Sequence, residues 1–175
     1  MIQIKHKTTG EVLLEVDALS GAGANLSGAD LNGADLSHRN LIRCYLIRCN
    51  LNDADLRCAD LSGADLTRCN LRGADLSGAY LNGADLSGAN LRHCNLSNAD
   101  LSGAYLNDAD LSGVTLSNAN LSNADIRCAD LGDADLTGAD LRGSKLIRCN
   151  ISWADFTDAD ITGCIGLPKG LTKTD

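Results

Sequence analysis

Three histidines, eight cysteines and a long series of aspartates are the residues of this chain with chemistry to offer. His93 is followed directly by Cys94, and an imidazole that takes a thiol proton is what makes a cysteine nucleophilic. Neighbouring side chains on an extended backbone diverge, so this pair does not meet. His38 and Cys58 are both metal-ligand types set twenty residues apart. A zinc site needs three or four ligands, and the same step onward reaches Gly78. Serines are plentiful, yet none has a base and an orienting acid in register with it. The aspartates recur at one fixed spacing along most of the chain, which marks an architecture and not a site. These residues predict no catalytic group, no metal centre and no cofactor, and the chain reads as a non-enzyme.

The element that must position all of them is a five-residue repeat. From Leu26 to Ile161 every fifth residue is large and apolar, giving 28 consecutive repeats without an insertion. We call this position i. It is Leu in 24 repeats, the others being Ile126, Ile151, Phe156 and Ile161. Position i−2 is Ala in 20 repeats, position i−1 is Asp or Asn in 23, and position i+2 is Gly in 12 and Asn or Asp in 7. Two apolar positions in five, spaced by two, fit neither a helical stripe nor a long alternating strand. They fit a very short strand with i−2 and i pointing inward, closed at once by a turn. Gly, Asn and Asp at i+2 suit the positive φ of a type II turn. A chain that turns after every short strand and keeps one side inward winds into a tube.

The consensus A(D/N)LXX, as in Ala29-Asp30-Leu31-Asn32-Gly33, resembles the pentapeptide repeat family over roughly residues 24–163. That resemblance implies an all-β fold: a right-handed quadrilateral parallel β-helix with four repeats to the coil. Twenty-eight repeats then make about seven coils, an array of ~34 Å at ~4.8 Å per strand spacing. Residues 1–23 do not repeat. Ile2 and Ile4, then Val12, Leu14 and Val16, alternate with polar residues around Thr8-Thr9-Gly10, which predicts a β-hairpin that caps the array, with Asp17–Asn25 as the joint. Residues 164–175 form a tail in which the period is lost, with Pro168 as its stop. Trp153, Phe156 and Ile161 gather just before it. They are expected to plug the C-terminal end or to form the contact of an end-to-end homodimer.

Composition narrows the partners. A net charge of −8 disfavours direct binding to nucleic acid or anionic membrane. The apolar runs are too short for a transmembrane helix. Six cysteines, Cys44, Cys49, Cys69, Cys94, Cys149 and Cys164, fill the i−2 slot where Ala is the rule, as small buried hydrophobes. Cys49 and Cys69 stack at the distance of a disulfide, but two packed thiols are the expectation. With no apolar leader after Met1, a reducing cytoplasm is expected.

Sorted into four faces, the repeat is not uniform. The face carrying Leu26 nets +1, the Leu31 face −3, the Leu36 face −5 and the Leu41 face −2. The first face also carries Tyr45, Ile47, Arg48, Arg68, Tyr105, Arg127, Ile147 and Arg148, with Cys128 exposed among them. Aromatic, Ile and Arg side chains are the types that interfaces favour. These eight residues are the candidate partner-binding site of a non-enzymatic scaffold. The alternative comes from the resemblance: some relatives bind DNA gyrase as acidic mimics of duplex DNA and protect it from quinolones or toxins. Duplex DNA carries about 20 charges over ~34 Å, against a net of −8 here. Those relatives tend to have Phe at many i positions, projecting loops and a dimerising helix, whereas here Phe156 is the single Phe and no loop interrupts the array. The near-pure Ala-Asp-Leu style is similar to the bacterial members abundant in cyanobacteria.

Overall fold

The computed structural model describes residues 2–16 and 23–167. Why the repeat folds as it does follows from the fate of its five backbone N–H groups, illustrated by the repeat around Leu31. The N–H of Leu31 (i) donates to the Asn50 carbonyl of the following coil at 2.7 Å. The N–H of Gly33 (i+2) donates to Asn52 there at 2.8 Å, and Asn50 (i−1) donates back to Ala29 at 3.0 Å. The N–H of Ala34 closes the turn onto the Leu31 carbonyl at 3.0 Å. The fifth, that of Asn32 (i+1), donates to the side-chain oxygen of Asp30 at 3.3 Å. Three bonds therefore join coils, one closes a corner, and one is satisfied by the residue at i−1. Buried backbone groups need such partners.

Parallel bridges fix the coil. From Asn25 to Lys145 every fifth residue bridges the residue twenty further on, ending with Lys145↔Ile165. Twenty residues with a corner every five make four sides. All 28 residues at i+2 have positive φ, twelve of them glycine and sixteen not, as a type II corner requires.

The interior is Leu on Ala. Leu31 to Leu141 at position i are fully enclosed, and i−2 completes the layers with Ala or Cys, or Val at Val114, the exposed Arg39 being an exception. Five of the i−2 cysteines, Cys49, Cys69, Cys94, Cys149 and Cys164, do more than fill space, because their thiols donate to the corner carbonyl one coil back. Cys49 reaches Leu26 O at 2.9 Å and Cys94 reaches Leu71 O at 2.7 Å. Burial pushes the Cys94 thiol up to about 12. Cys49 and Cys69 are both free thiols. The hydrogen bond to Cys49, with burial, pushes the Cys69 thiol up. No buried side-chain polar atom lacks a partner among the described residues.

At the N-terminal end, β1 (Ile2–His6) and β2 (Val12–Val16) pair antiparallel as a hairpin. The hairpin is not confined to two strands: β1 also pairs antiparallel with β3 (Ala34–Asp35) of the first coil, through Lys5↔Asp35 and His6↔Ala34. Ile4 is thereby buried over the end of the core. A Cβ at Gly33 would run into the His6 imidazole, so this corner needs glycine for space as well as for its φ of 63°. The joint at 17–22 and Pro168 lie outside the described residues.

The C-terminal end departs from expectation. Trp153 does not plug the tube. It occupies an i+2 corner of the Leu31 face, with φ 62°, and is 89% exposed. Phe156 and Ile161 do point inward, but no described coil covers them and they are only partly buried. The period ends at Gly166, which stands where the next Leu would fall. A Cβ there would lie 2.6 Å from Ile147 Cα. No helix among the described residues is long and apolar enough to cross a membrane.

Candidate interaction face

The outer corner of each repeat, i+1 and i+2, is the part of the tube most open to solvent. On the Leu26 face these corners stack into a strip that the structure resolves into two shallow grooves. One is lined by Ser27, Gly28, Ile47, Arg48, Thr67 and Arg68. The other is lined by Asn107, Asp108, Arg127, Cys128, Ile147 and Arg148. Six of the eight predicted residues are thus brought together in threes. Tyr45 and Tyr105 stand beside the grooves at i−1, each about half exposed. Ile147 is 40% exposed. The sequence reading missed Tyr80, an equally exposed tyrosine at i−1 on the Leu41 face, which also carries Ile42, Arg43 and Arg142.

Electrostatics separate the arginines. Arg127 is committed within the chain: its Nε and Nη2 donate to both oxygens of Asp125 at 2.7 and 2.8 Å. Asp125 is itself buried, with Lys145 Nζ at 3.7 Å. The Arg127 guanidinium holds the Asp125 carboxyl below the usual carboxylate range. Arg127 therefore leaves the set of available cations. Arg57, Arg92 and Arg142 on the other faces are likewise paired, with Asp55, Asp110 and Asp140. Arg48, Arg68 and Arg148 have no carboxylate within 4.0 Å among the described residues.

Backbone strain picks out the same strip. Nine residues other than Gly, Asn or Asp are held at positive φ, and Arg48, Arg68, Cys128 and Arg148 are four of them. A side chain with a Cβ costs roughly 1 kcal/mol or more in this region relative to glycine.

A further feature escaped the sequence reading. Position i−1 is Asp or Asn because its side-chain oxygen accepts the i+1 amide, as in Ser62 N to Asp60 Oδ1 at 3.1 Å and Ser102 N to Asp100 Oδ1 at 3.0 Å. Stacked asparagines also chain together, Asn70 Nδ2 donating to Asn50 Oδ1 and Asn90 Nδ2 to Asn70 Oδ1. The 23-in-28 preference at i−1 was the available signal. Five repeats break the rule, with Tyr45, Tyr80, Tyr105, Thr115 and Lys145 at i−1, and three of these lie on the Leu26 face.

His38 and Cys58 stack on successive coils, and the Cys58 thiol is 4.0 Å from the Ser77 carbonyl. Among the described residues no three metal-ligating side chains come together.

Comparison with known proteins places this arrangement. The family described as Pentapeptide repeats matches in eight copies, over residues 22–57, 40–73, 69–108, 94–127, 104–143 and 124–163. No curated protein matches the chain. Among solved structures it is similar to HetL, a protein involved in heterocyst differentiation regulation from the cyanobacterium Nostoc sp. strain PCC 7120. The identity is 31% over 84% of this chain and 86% of HetL, with a TM-score of 0.42. It is also similar to alr5209 from Nostoc, at 32% identity over 63% of this chain and 82% of the other, TM-score 0.42. QnrB1, a plasmid-mediated fluoroquinolone resistance protein, matches at 24% identity over 80% of this chain and 76% of its own, TM-score 0.42.

Proposed function

The chain belongs to the pentapeptide repeat family, whose fold is a right-handed quadrilateral β-helix, and on that premise we propose that it is a non-enzymatic interaction module whose Leu26 face receives a protein partner. The observation that supports this most is the retention of Arg48, Arg68 and Arg148 at corners where glycine is cheaper, with no carboxylate partner among the described residues. A fold needing only corners would fill them with Gly, Asn or Asp. Side chains kept against that preference and without a carboxylate partner among the described residues suit contacts made outside the chain. Free thiols at i−2 support a reducing compartment, and the cytoplasm is the compartment proposed.

The test compares two triple variants of equal charge change. Arg48→Glu, Arg68→Glu and Arg148→Glu alter the proposed face, whereas Arg57→Glu, Arg72→Glu and Arg142→Glu alter the others. Loss of partner capture in the first and retention in the second is expected. The reverse pattern would assign the partner to another face.

The competing reading, an acidic mimic of duplex DNA acting on a topoisomerase, draws on the −5 charge of the Leu36 face. Against it, the Oδ1 atoms of Asp35, Asp55, Asp75, Asp135 and Asp155 are engaged with the backbone of their own corners, and Arg57 lies between Asp55 and Asp75. Gyrase supercoiling assays separate the readings. Unchanged supercoiling and no quinolone protection at micromolar protein would remove the mimic.

A further inference from the structure

We propose that the Leu26 face holds two carboxylate-binding sites, at Ile47–Arg48 and Ile147–Arg148, each built to take an acidic side chain of a protein partner. This rests on the interaction reading above and names the chemistry of the partner.

The corner amide is the key group. In most repeats the N–H at i+1 is taken by the Asp or Asn at i−1, at 3.0 Å in the Ser102–Asp100 case. Where i−1 is Tyr45 or Lys145 that oxygen is missing, and the amides of Ile47 and Ile147 have no acceptor among the described residues. Each of these amides is followed by an arginine with no carboxylate within 4.0 Å among the described residues, Arg48 or Arg148, and each lines one of the two grooves. An amide without an acceptor and an arginine without a carboxylate, on adjacent residues of one groove, are the donors a carboxylate takes, and charge-assisted bonds of this kind are the strong ones. An incoming Asp or Glu would take the place of the absent i−1 oxygen.

The other exceptions do not qualify. The Asn107 amide is followed by Asp108 where the two sites have an arginine. The Asn82 repeat sits between the Asp60 and Asp100 coils, and Ser117 has no arginine in its repeat. The two sites are also the same words in the sequence, Leu46-Ile47-Arg48-Cys49-Asn50 and Leu146-Ile147-Arg148-Cys149-Asn150. Leu41-Ile42-Arg43-Cys44 reads alike but fails the same test, since its Ile42 amide is taken by Asn40 at 3.2 Å. Five coils separate the two sites, ~24 Å along the tube, so a partner with two acidic segments can occupy both. A nucleic acid is the poorer occupant, because the faces flanking this one carry net charges of −3 and −2.

The test follows the amides themselves. Full-length 15N-labelled protein is titrated with a capped Glu-Glu-Glu peptide, and with a capped Gln-Gln-Gln peptide and a short oligothymidylate as comparisons. Saturable shifts of the Ile47 and Ile147 amides with the glutamate peptide, and unmoved Ser62 and Ser102 amides, are expected. Tyr45→Asn and Lys145→Asn restore the consensus acceptor without adding negative charge and suit the fold, as Asn50 and Asn70 do. Each should weaken binding at its own site about tenfold or more and leave the other site intact. Equal binding by these variants, shifts with the glutamine peptide, or preference for the oligonucleotide would overturn the proposal. If the peptide fails to bind while the Arg48, Arg68 and Arg148 variants still lose their partner, the interaction face stands and its carboxylate chemistry falls. If the peptide binds and capture is unaffected by those variants, the interaction face is the claim that fails.

Discussion

Replacing Leu101 by Ala tests the packing account at its most enclosed point. Leu101 is fully buried, and the coils on either side of it are held at fixed spacing by the bonds Leu81 N to Asp100 O and Leu101 N to Asn120 O, both 2.7 Å. Those bonds continue on all four sides, so the walls cannot close on the space left behind. Large-to-small core changes cost about 2–5 kcal/mol, more where relaxation is blocked, which puts Leu101→Ala near ~4 kcal/mol. Ile161 stands in the same column three coils further on, only partly buried and with no described coil above it. Its truncation leaves an opening to solvent in place of a void, and should cost about 2 kcal/mol or less. Urea unfolding followed by circular dichroism reads both, with the midpoint falling and the slope unchanged. Equal costs at the two sites would refute the claim that stacked coils enclose each Leu from both sides.

Gly83→Ala and Gly113→Ala share the cost of a positive φ, about 1 kcal/mol. At Gly113 the new Cβ also meets His93 Nδ1 at 2.6 Å, while at Gly83 it meets nothing within 4 Å. Gly113→Ala should therefore be the more destabilising, and His93→Ala should remove the excess, both read by thermal melting. Asp100→Ala deprives the Ser102 amide and the Asn120 side chain of an acceptor. It should cost about 1–2 kcal/mol in urea, against little for Asp100→Asn, which keeps the oxygen. Asp125 is held below the usual carboxylate range by Arg127, so its contribution is present above the unfolded pKa and lost as pH falls through the folded one. Asp125→Asn should accordingly flatten the acid limb of a stability-against-pH curve. An end-to-end homodimer through the Phe156–Ile161 end is expected to give twice the monomer mass in light scattering. Ile161→Asp should return it to monomer.

The fold was legible because its inward positions are nearly invariant. Leu at i, Ala at i−2 and Gly, Asn or Asp at i+2 state an inward pair and a corner without needing distant residues. Two things were not legible. Trp153 was assigned to the end of the tube on size and apolarity alone, but its register puts it at i+2, outside. Ile151 holds the i position of that repeat, and counting two residues on from it places the indole at the corner. The role of i−1 was hidden for a different reason. Asp and Asn there look like ordinary solvated surface, and only the path of the i+1 amide reveals them as part of the corner. The same blind spot hid what Tyr45 and Lys145 leave open. Arg127 shows the limit of sorting charges by face, since the side chain that looked available is bound to Asp125.

Hydrogen exchange with the captured partner bound tests the central claim most directly. Slowed exchange is predicted in the segments around Tyr45–Arg48, Thr67–Arg68 and Lys145–Arg148, with segments of the Leu36 face such as Ser97–Asn98 and Ser117–Asn118 unchanged. Protection confined to the Leu36 face would contradict it.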